Sequence, residues 1–155
     1  MNKVKKVLII GPGSMGFEYY KCLEHMQCEV HVLGRSNKSF DKFKSSDSIY
    51  KYTDISDFIK INKAEEFDLA IVAVSVEALL KSSILAIKSG FKRILIEKPA
   101  GLYKSDITKL SRLGSKYNSQ IYIAYNRRYY GSVQKAMAII ENDGGIYDLT
   151  ILGPD

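Results

Sequence analysis

Apolar runs bounded by glycine and polar residues alternate along this chain with stretches whose apolar residues recur every three or four positions. Val4 to Ile10 reads Val-Lys-Lys-Val-Leu-Ile-Ile and stops at Gly11-Pro12-Gly13. A run that does not alternate with polar residues predicts a strand covered on both faces. Phe17 to Met26 follows with Tyr19, Cys22, Leu23 and Met26 at helical spacing. Glu29 to Leu33 reads as a second strand, ended by Gly34-Arg35-Ser36. A short helix over Asn37 to Lys44, a third strand at Ile49 to Tyr52 and a helix over Asp54 to Asn62 come next. The apolar positions of that last helix are Ile55, Phe58, Ile59 and Ile61. Asp68 to Ser75 is the clearest buried strand, and a helix from Val76 to Ser89 closes at Gly90, a good C-cap residue. Lys92 to Glu97 and Gln120 to Tyr125 read as strands, and Lys104 to Tyr117 and Ser132 to Glu141 as helices. Asn142 to Gly145 is a turn, and Ile146 to Leu152 an alternating last strand.

Strand–helix alternation of this kind predicts an α/β fold, a doubly wound parallel sheet of about six strands with helices on both faces. Such sheets bind ligands beyond the carboxyl ends of their strands. The segments to watch are therefore Gly11–Gly16, Gly34–Ser36, Val74–Val76, Glu97–Pro99 and Tyr125–Arg128.

Composition narrows the class. At 155 residues, 46% hydrophobic and 26% charged, the chain has ordinary globular proportions and can build a core without disulfide or metal staples. The apolar run at Val7–Ile10 is shorter than the ~7–15 residues of a signal-peptide core, and no run approaches the ~20 residues that cross a bilayer. The formal charge of +6 favours anionic partners, but the lysines are scattered and the tight clusters are only Lys3–Lys6 and Arg127-Arg128. A nucleic-acid role and a membrane role are not expected. Cys22 and Cys28 fit no zinc or redox spacing, with His25 and His31 nearby. Free, partly buried thiols in a reducing cytoplasm are expected, with no metal.

Gly11-Pro12-Gly13-Ser14-Met15-Gly16 is a GxGxxG that follows a predicted strand and opens a helix, the context the pattern requires. The first glycine allows the tight turn. The second lets backbone N–H groups approach a pyrophosphate, and the third lets the helix pack close to the strand. The helix N-terminus then faces the anion. A dinucleotide fingerprint also expects an acid ~20 residues on, for the adenosine ribose. Here strand two ends Leu33-Gly34-Arg35-Ser36 instead. An acid would repel a 2′-phosphate; a glycine makes space, and Arg35 with Ser36 can hold it by charge and hydrogen bonds. NADP is expected in preference to NAD.

Ile94-Leu95-Ile96-Glu97-Lys98-Pro99 puts an ammonium at the same edge of the sheet, on a turn that Pro99 fixes. Together with the glycine loop, the Asp68–Ser75 strand and Ala124-Tyr125-Asn126-Arg127-Arg128-Tyr129, it resembles the Gfo/Idh/MocA family of glucose–fructose oxidoreductases and inositol dehydrogenases. The resemblance runs from Val4 to about Tyr130. It implies a Rossmann domain over residues 1–131. It also implies an NAD(P)-dependent hydride transfer at a hydroxyl or carbonyl carbon of a sugar, cyclitol or sugar derivative. Lys98 matches the lysine that polarises the reacting hydroxyl. Gly11, Gly13 and Gly16 match the phosphate loop, with Pro12, Ser14 and Met15 inside it. Gly34, Arg35, Ser36, Val74, Ser75 and Glu97 fall at the cofactor edge, and Asn126 and Arg127 where the family approaches nicotinamide and substrate.

The family's second half supplies an Asp and, a few residues later, a His that acts as general acid/base. No histidine follows Lys98 here. Residues 132–155 resemble the start, one helix and one strand, of that α/β substrate domain. The expectation is half of a longer oxidoreductase, inactive by itself, that associates with a substrate domain or forms a homo-oligomer. The alternative is a stand-alone nucleotide-binding sensor without turnover.

Overall fold

Six short strands pair in parallel: β1 (Lys6–Ile10), β2 (Glu29–Leu33), β3 (Ile49–Tyr52), β4 (Leu69–Val72), β5 (Arg93–Ile96) and β6 (Gln120–Ile123). This computed structural model describes residues 4–43 and 49–145, so the expected strand at Ile146–Leu152 lies outside the described residues. The sheet order is β3-β2-β1-β4-β5-β6, the Rossmann arrangement, and it reverses between β1 and β4. Register follows the pleat: Val7 pairs with Val30 on one side and Leu69 on the other, and Ile71 with Leu95.

Helices α1 (Ser14–His25), α2 (Ile55–Ile61), α3 (Val76–Lys88) and α4 (Lys104–Tyr117) connect the strands. Alternate strand residues enter two separate cores. On one face Val7, Ile9, Val30, Val32 and Ile71 pack against Tyr20 and Leu23 of α1 and against Phe40 and Phe43. On the other, Leu8, Ile10, Ala70, Val72, Ile94 and Ile96 pack against Phe58 of α2, Leu79 and Ile87 of α3, and Leu110 of α4. Both faces of the sheet are thus covered, as unbroken apolar strands require.

Three expectations change. The 37–44 segment is a 3-10 helix, Asn37–Phe43, whose side chains Phe40 and Phe43 plug the α1 face. The buried row of α1 is Gly16, Tyr20 and Leu23, whereas Cys22 and Met26 are exposed. In α2 only Phe58 is buried, and Ile59 and Ile61 face outward. The helical period fixes which residues share a face but not which face meets the sheet. Gly90 does take the left-handed conformation just past α3, at φ 98°, and its N–H donates to the Ile87 carbonyl.

The chain divides into two compact units, Met1–Ala124 and Tyr125–Asp155. The first holds the whole sheet. The second, as far as it is described, is a short 3-10 helix, Asn126–Tyr129, and α5 (Gly131–Asn142), with no buried residue on either. No described helix is long and apolar enough to cross a membrane.

Candidate functional site

The carboxyl ends of β1 and β4 meet where the sheet order reverses, and the glycine loop leaves β1 at that point. Gly11 has φ 106°, and its N–H donates to the Leu33 carbonyl. A Cβ on Gly11 would stand 2.4 Å from the Ala73 carbonyl oxygen, so the loop lies directly against the chain leaving β4. A Cβ on Gly16 would come within 2.0 Å of the Gly11 carbonyl oxygen, so α1 starts tight against the loop. Around Gly13 nothing lies within 4 Å of that position. The middle of the loop is open, its rim is closed on both sides, and Gly13, Ser14 and Met15 are exposed. No side chain caps α1 and no acid occupies its first turn, which leaves the N–H end to an anion.

Beside the loop the chain leaves β2. Arg35 and Ser36 are exposed, but Gly34 is not there to hold space open. A Cβ on it would lie 2.3 Å from Ser39 Oγ, 2.9 Å from Phe40 Cζ and 3.0 Å from Pro12 Cγ. The glycine lets Pro12 of the glycine loop and the following 3-10 helix pack on the end of β2. A cation the sequence reading did not single out stands nearby: Lys42 Nζ donates to Ser14 Oγ at 2.5 Å, at the first residue of α1. Its signal was seven residues past Arg35, too far for a local motif, and only the turn of the 3-10 helix brings it back.

Val74 and Ser75 continue β4 beside Gly11, Val74 half-buried and Ser75 exposed. One strand further, Glu97 follows β5. Its N–H donates to the Val72 carbonyl at 3.0 Å, and its carbonyl accepts from Ala100 N–H at 2.9 Å, closing a four-residue turn through Lys98 and Pro99. The Lys98–Pro99 peptide is cis. Beyond it, Asp106 Oδ2 accepts from Leu102 and Tyr103 N–H at 2.9 and 3.0 Å, tying the next segment to α4. Lys98 is exposed and its ammonium has no partner among the described residues. Glu97 is half-buried and accepts a hydrogen bond from Tyr19 Oη at 2.5 Å. Burial first, then this bond to the carboxylate, push the Tyr19 hydroxyl well above its ordinary range. Tyr19 also escaped the sequence reading, which used it as an apolar helix position.

Asn126 and Arg127 fall in the second unit, exposed on its short helix. His31 is buried in β2 and belongs to the fold: Nε2 lies 2.9 Å from Glu29 Oε1 and Nδ1 3.1 Å from Tyr52 Oη.

No protein-family model and no curated protein matches the chain. Solved structures do. A WlbA dehydrogenase from Chromobacterium violaceum, in complex with NADH and UDP-GlcNAcA, superposes with a TM-score of 0.80 at 14% identity over 92% of this chain and 41% of that one. WlbA from Bordetella pertussis, with the same two ligands, gives 0.78 at 12% over 90% of this chain and 42% of that one. Myo-inositol 2-dehydrogenase from Lactobacillus plantarum gives 0.76 at 20% over 92% of this chain and 42% of that one. At these identities the likeness is one of fold. The chain spans about two fifths of the length of each of these structures.

Proposed function

We propose that this chain is the cofactor-binding part of an NAD(P)-dependent oxidoreductase of the Gfo/Idh/MocA type, acting on a hydroxyl or carbonyl carbon of a sugar, cyclitol or sugar derivative. One observation carries the reading: an open, uncapped glycine loop and a Glu-Lys-Pro turn leave the same edge of a β3-β2-β1-β4-β5-β6 sheet. Solved dehydrogenases of the same fold that hold NADH and a nucleotide sugar support it.

The residues fit a dinucleotide. The space at Gly13 and the N–H end of α1 would take the pyrophosphate. Arg35, Ser36 and Lys42 offer two cations and a hydroxyl for a 2′-phosphate, and Gly34-Arg35-Ser36 at the end of β2 carries no acid for a ribose 2′-hydroxyl, so NADP is the assigned cofactor over NAD. A bound nicotinamide supplies the hydride chemistry. Val74 and Ser75 follow β4, between the glycine loop after β1 and the Glu-Lys-Pro turn after β5. Lys98 donates a hydrogen bond to the substrate oxygen and stabilises negative charge as it develops there. Asn126 and Arg127 are assigned to nicotinamide and substrate on sequence resemblance alone. A following α/β substrate domain would bring the general base, and a cytoplasmic setting fits the free thiols of Cys22 and Cys28.

Turnover tests the reading in the longest natural protein that carries this chain, with a panel of sugars, cyclitols and nucleotide sugars. Lys98→Ala should lower kcat by about 10²-fold or more, the usual loss for one electrostatic donor, with NADPH affinity within about twofold of the parent. An unchanged kcat would remove Lys98 from the mechanism.

A further inference from the structure

Glu97 and Lys98 are chain neighbours of opposite charge at the edge where chemistry is proposed. An ammonium that must serve a substrate oxygen is compromised by an adjacent carboxylate free to pair with it. One of the carboxylate oxygens is already held. Tyr19, three residues past the last glycine of the loop, reaches across from α1, and its hydroxyl donates to Glu97 Oε1 at 2.5 Å. The Tyr19 ring is half-buried against the core of the α1 face, which holds the hydroxyl in place. The Glu97 backbone is pinned on both sides, by Val72 and by Ala100. Lys98, by contrast, has no partner among the described residues.

We infer that Tyr19 is a positioning residue: by holding Glu97 Oε1 toward α1 it draws the carboxylate away from Lys98 and leaves the ammonium unpaired, and it ties α1 to the lysine turn. The inference deepens the proposed role of Lys98 and rests on it. It concerns a pairing present without cofactor or substrate, so it is testable separately.

The experiment is competitive acylation of the whole 155-residue chain by a limiting dose of N-hydroxysuccinimidyl acetate, read lysine by lysine by peptide mass spectrometry. In Tyr19→Phe the released carboxylate pairs with Lys98, and its acylation should slow about two- to fivefold relative to Lys109 and Lys116, the range an exposed ion pair gives. Tyr19→Phe with Glu97→Gln should restore the parental rate. A loosened fold would accelerate lysines together, the opposite sign, and that result counts against the inference. Glu97→Gln alone gives an independent arm: Lys98 should keep its parental rate, because its ammonium was not paired with Glu97 to begin with. A faster Lys98 in that variant, or an unchanged Lys98 in Tyr19→Phe, overturns the inference whether or not the chain binds NADPH. Failure to bind NADPH would overturn the cofactor reading and leave this result standing.

Discussion

An added Cβ at Gly13 would meet nothing within 4 Å, whereas at Gly16 it would stand 2.0 Å from a backbone oxygen. The two glycines therefore predict opposite phenotypes. Gly13→Ala should fold with the parental Tm, since its φ of −75° suits any residue, and should lose about 10–100-fold in NADPH affinity as one or two charge-assisted hydrogen bonds are blocked. Gly16→Ala should cost about 1–3 kcal/mol of stability, the usual range for forcing atoms into a packed site. Thermal melts and a fluorescence titration of both variants separate ligand space from packing space. Arg35→Ala should lower NADP affinity by about 10-fold or more and leave NAD affinity within about twofold, by the same hydrogen-bond scale; equal losses for both would remove Arg35 from a 2′-phosphate site. His31 makes a prediction of another kind. The Glu29 carboxylate only accepts, so Nε2 carries the proton and donates to it, while Nδ1 accepts from the Tyr52 hydroxyl, which accepts in turn from Asn62. Burial pushes the imidazole below its ordinary value, against the pull of Glu29, while the hydrogen bond from His31 holds Glu29 low. Both groups bind protons more readily in the unfolded chain. Stability is thus present above an ordinary histidine value of 6.5 and is lost as the pH falls through the folded values. Urea midpoints should hold from pH 8 to about 6.5 and decline from there to pH 4, and His31→Gln should flatten the upper part of that decline.

Among the elements, β1, β4 and β5 were legible because a strand covered on both faces is written as a run of apolar residues, and β2, Glu-Val-His-Val-Leu, because its valines and leucine stand just before Gly34. The helices were legible in position and less so in orientation. Cys22, Met26, Ile59 and Ile61 keep the right spacing yet face outward, because the contact is decided by the sheet and not by the helix. Phe58 shows what that contact is worth. It is fully buried, edge-on to Tyr52 and within ring-contact distance of Phe67 and Phe91. Phe58→Ala should cost about 3–5 kcal/mol, measured by denaturant unfolding, whereas Ile61→Ala, on the same helix but 75% exposed, should stay within about 0.5 kcal/mol. The glycine loop and Glu-Lys-Pro turn were equally legible as turns at strand ends, since each is built from consecutive residues. Lys42 and Tyr19 were not: one arrives through a 3-10 turn and the other through a bond between residues 78 apart, and neither distance is visible in a linear pattern.

The whole molecule joins these parts at one edge. The sheet order sets Gly11 against Ala73, brings Glu97 one strand away, and places Arg35, Lys38 and Lys42, all exposed, on the segment after β2. A formal charge of +6 with a cationic segment beside an open glycine loop suits a polyanionic dinucleotide, so raising salt from about 0.05 to 0.5 M should weaken NADPH binding several-fold by screening. The central claim is that this loop holds that ligand, and the most direct measurement is a titration of the 155-residue chain with NADPH, with Gly13→Ala as control and NADP and NAD as competitors. The account predicts saturable one-to-one binding, displaced more readily by NADP than by NAD and weakened about 10–100-fold in Gly13→Ala. Absence of binding at millimolar NADPH, or equal binding by the folded Gly13→Ala variant, would contradict it.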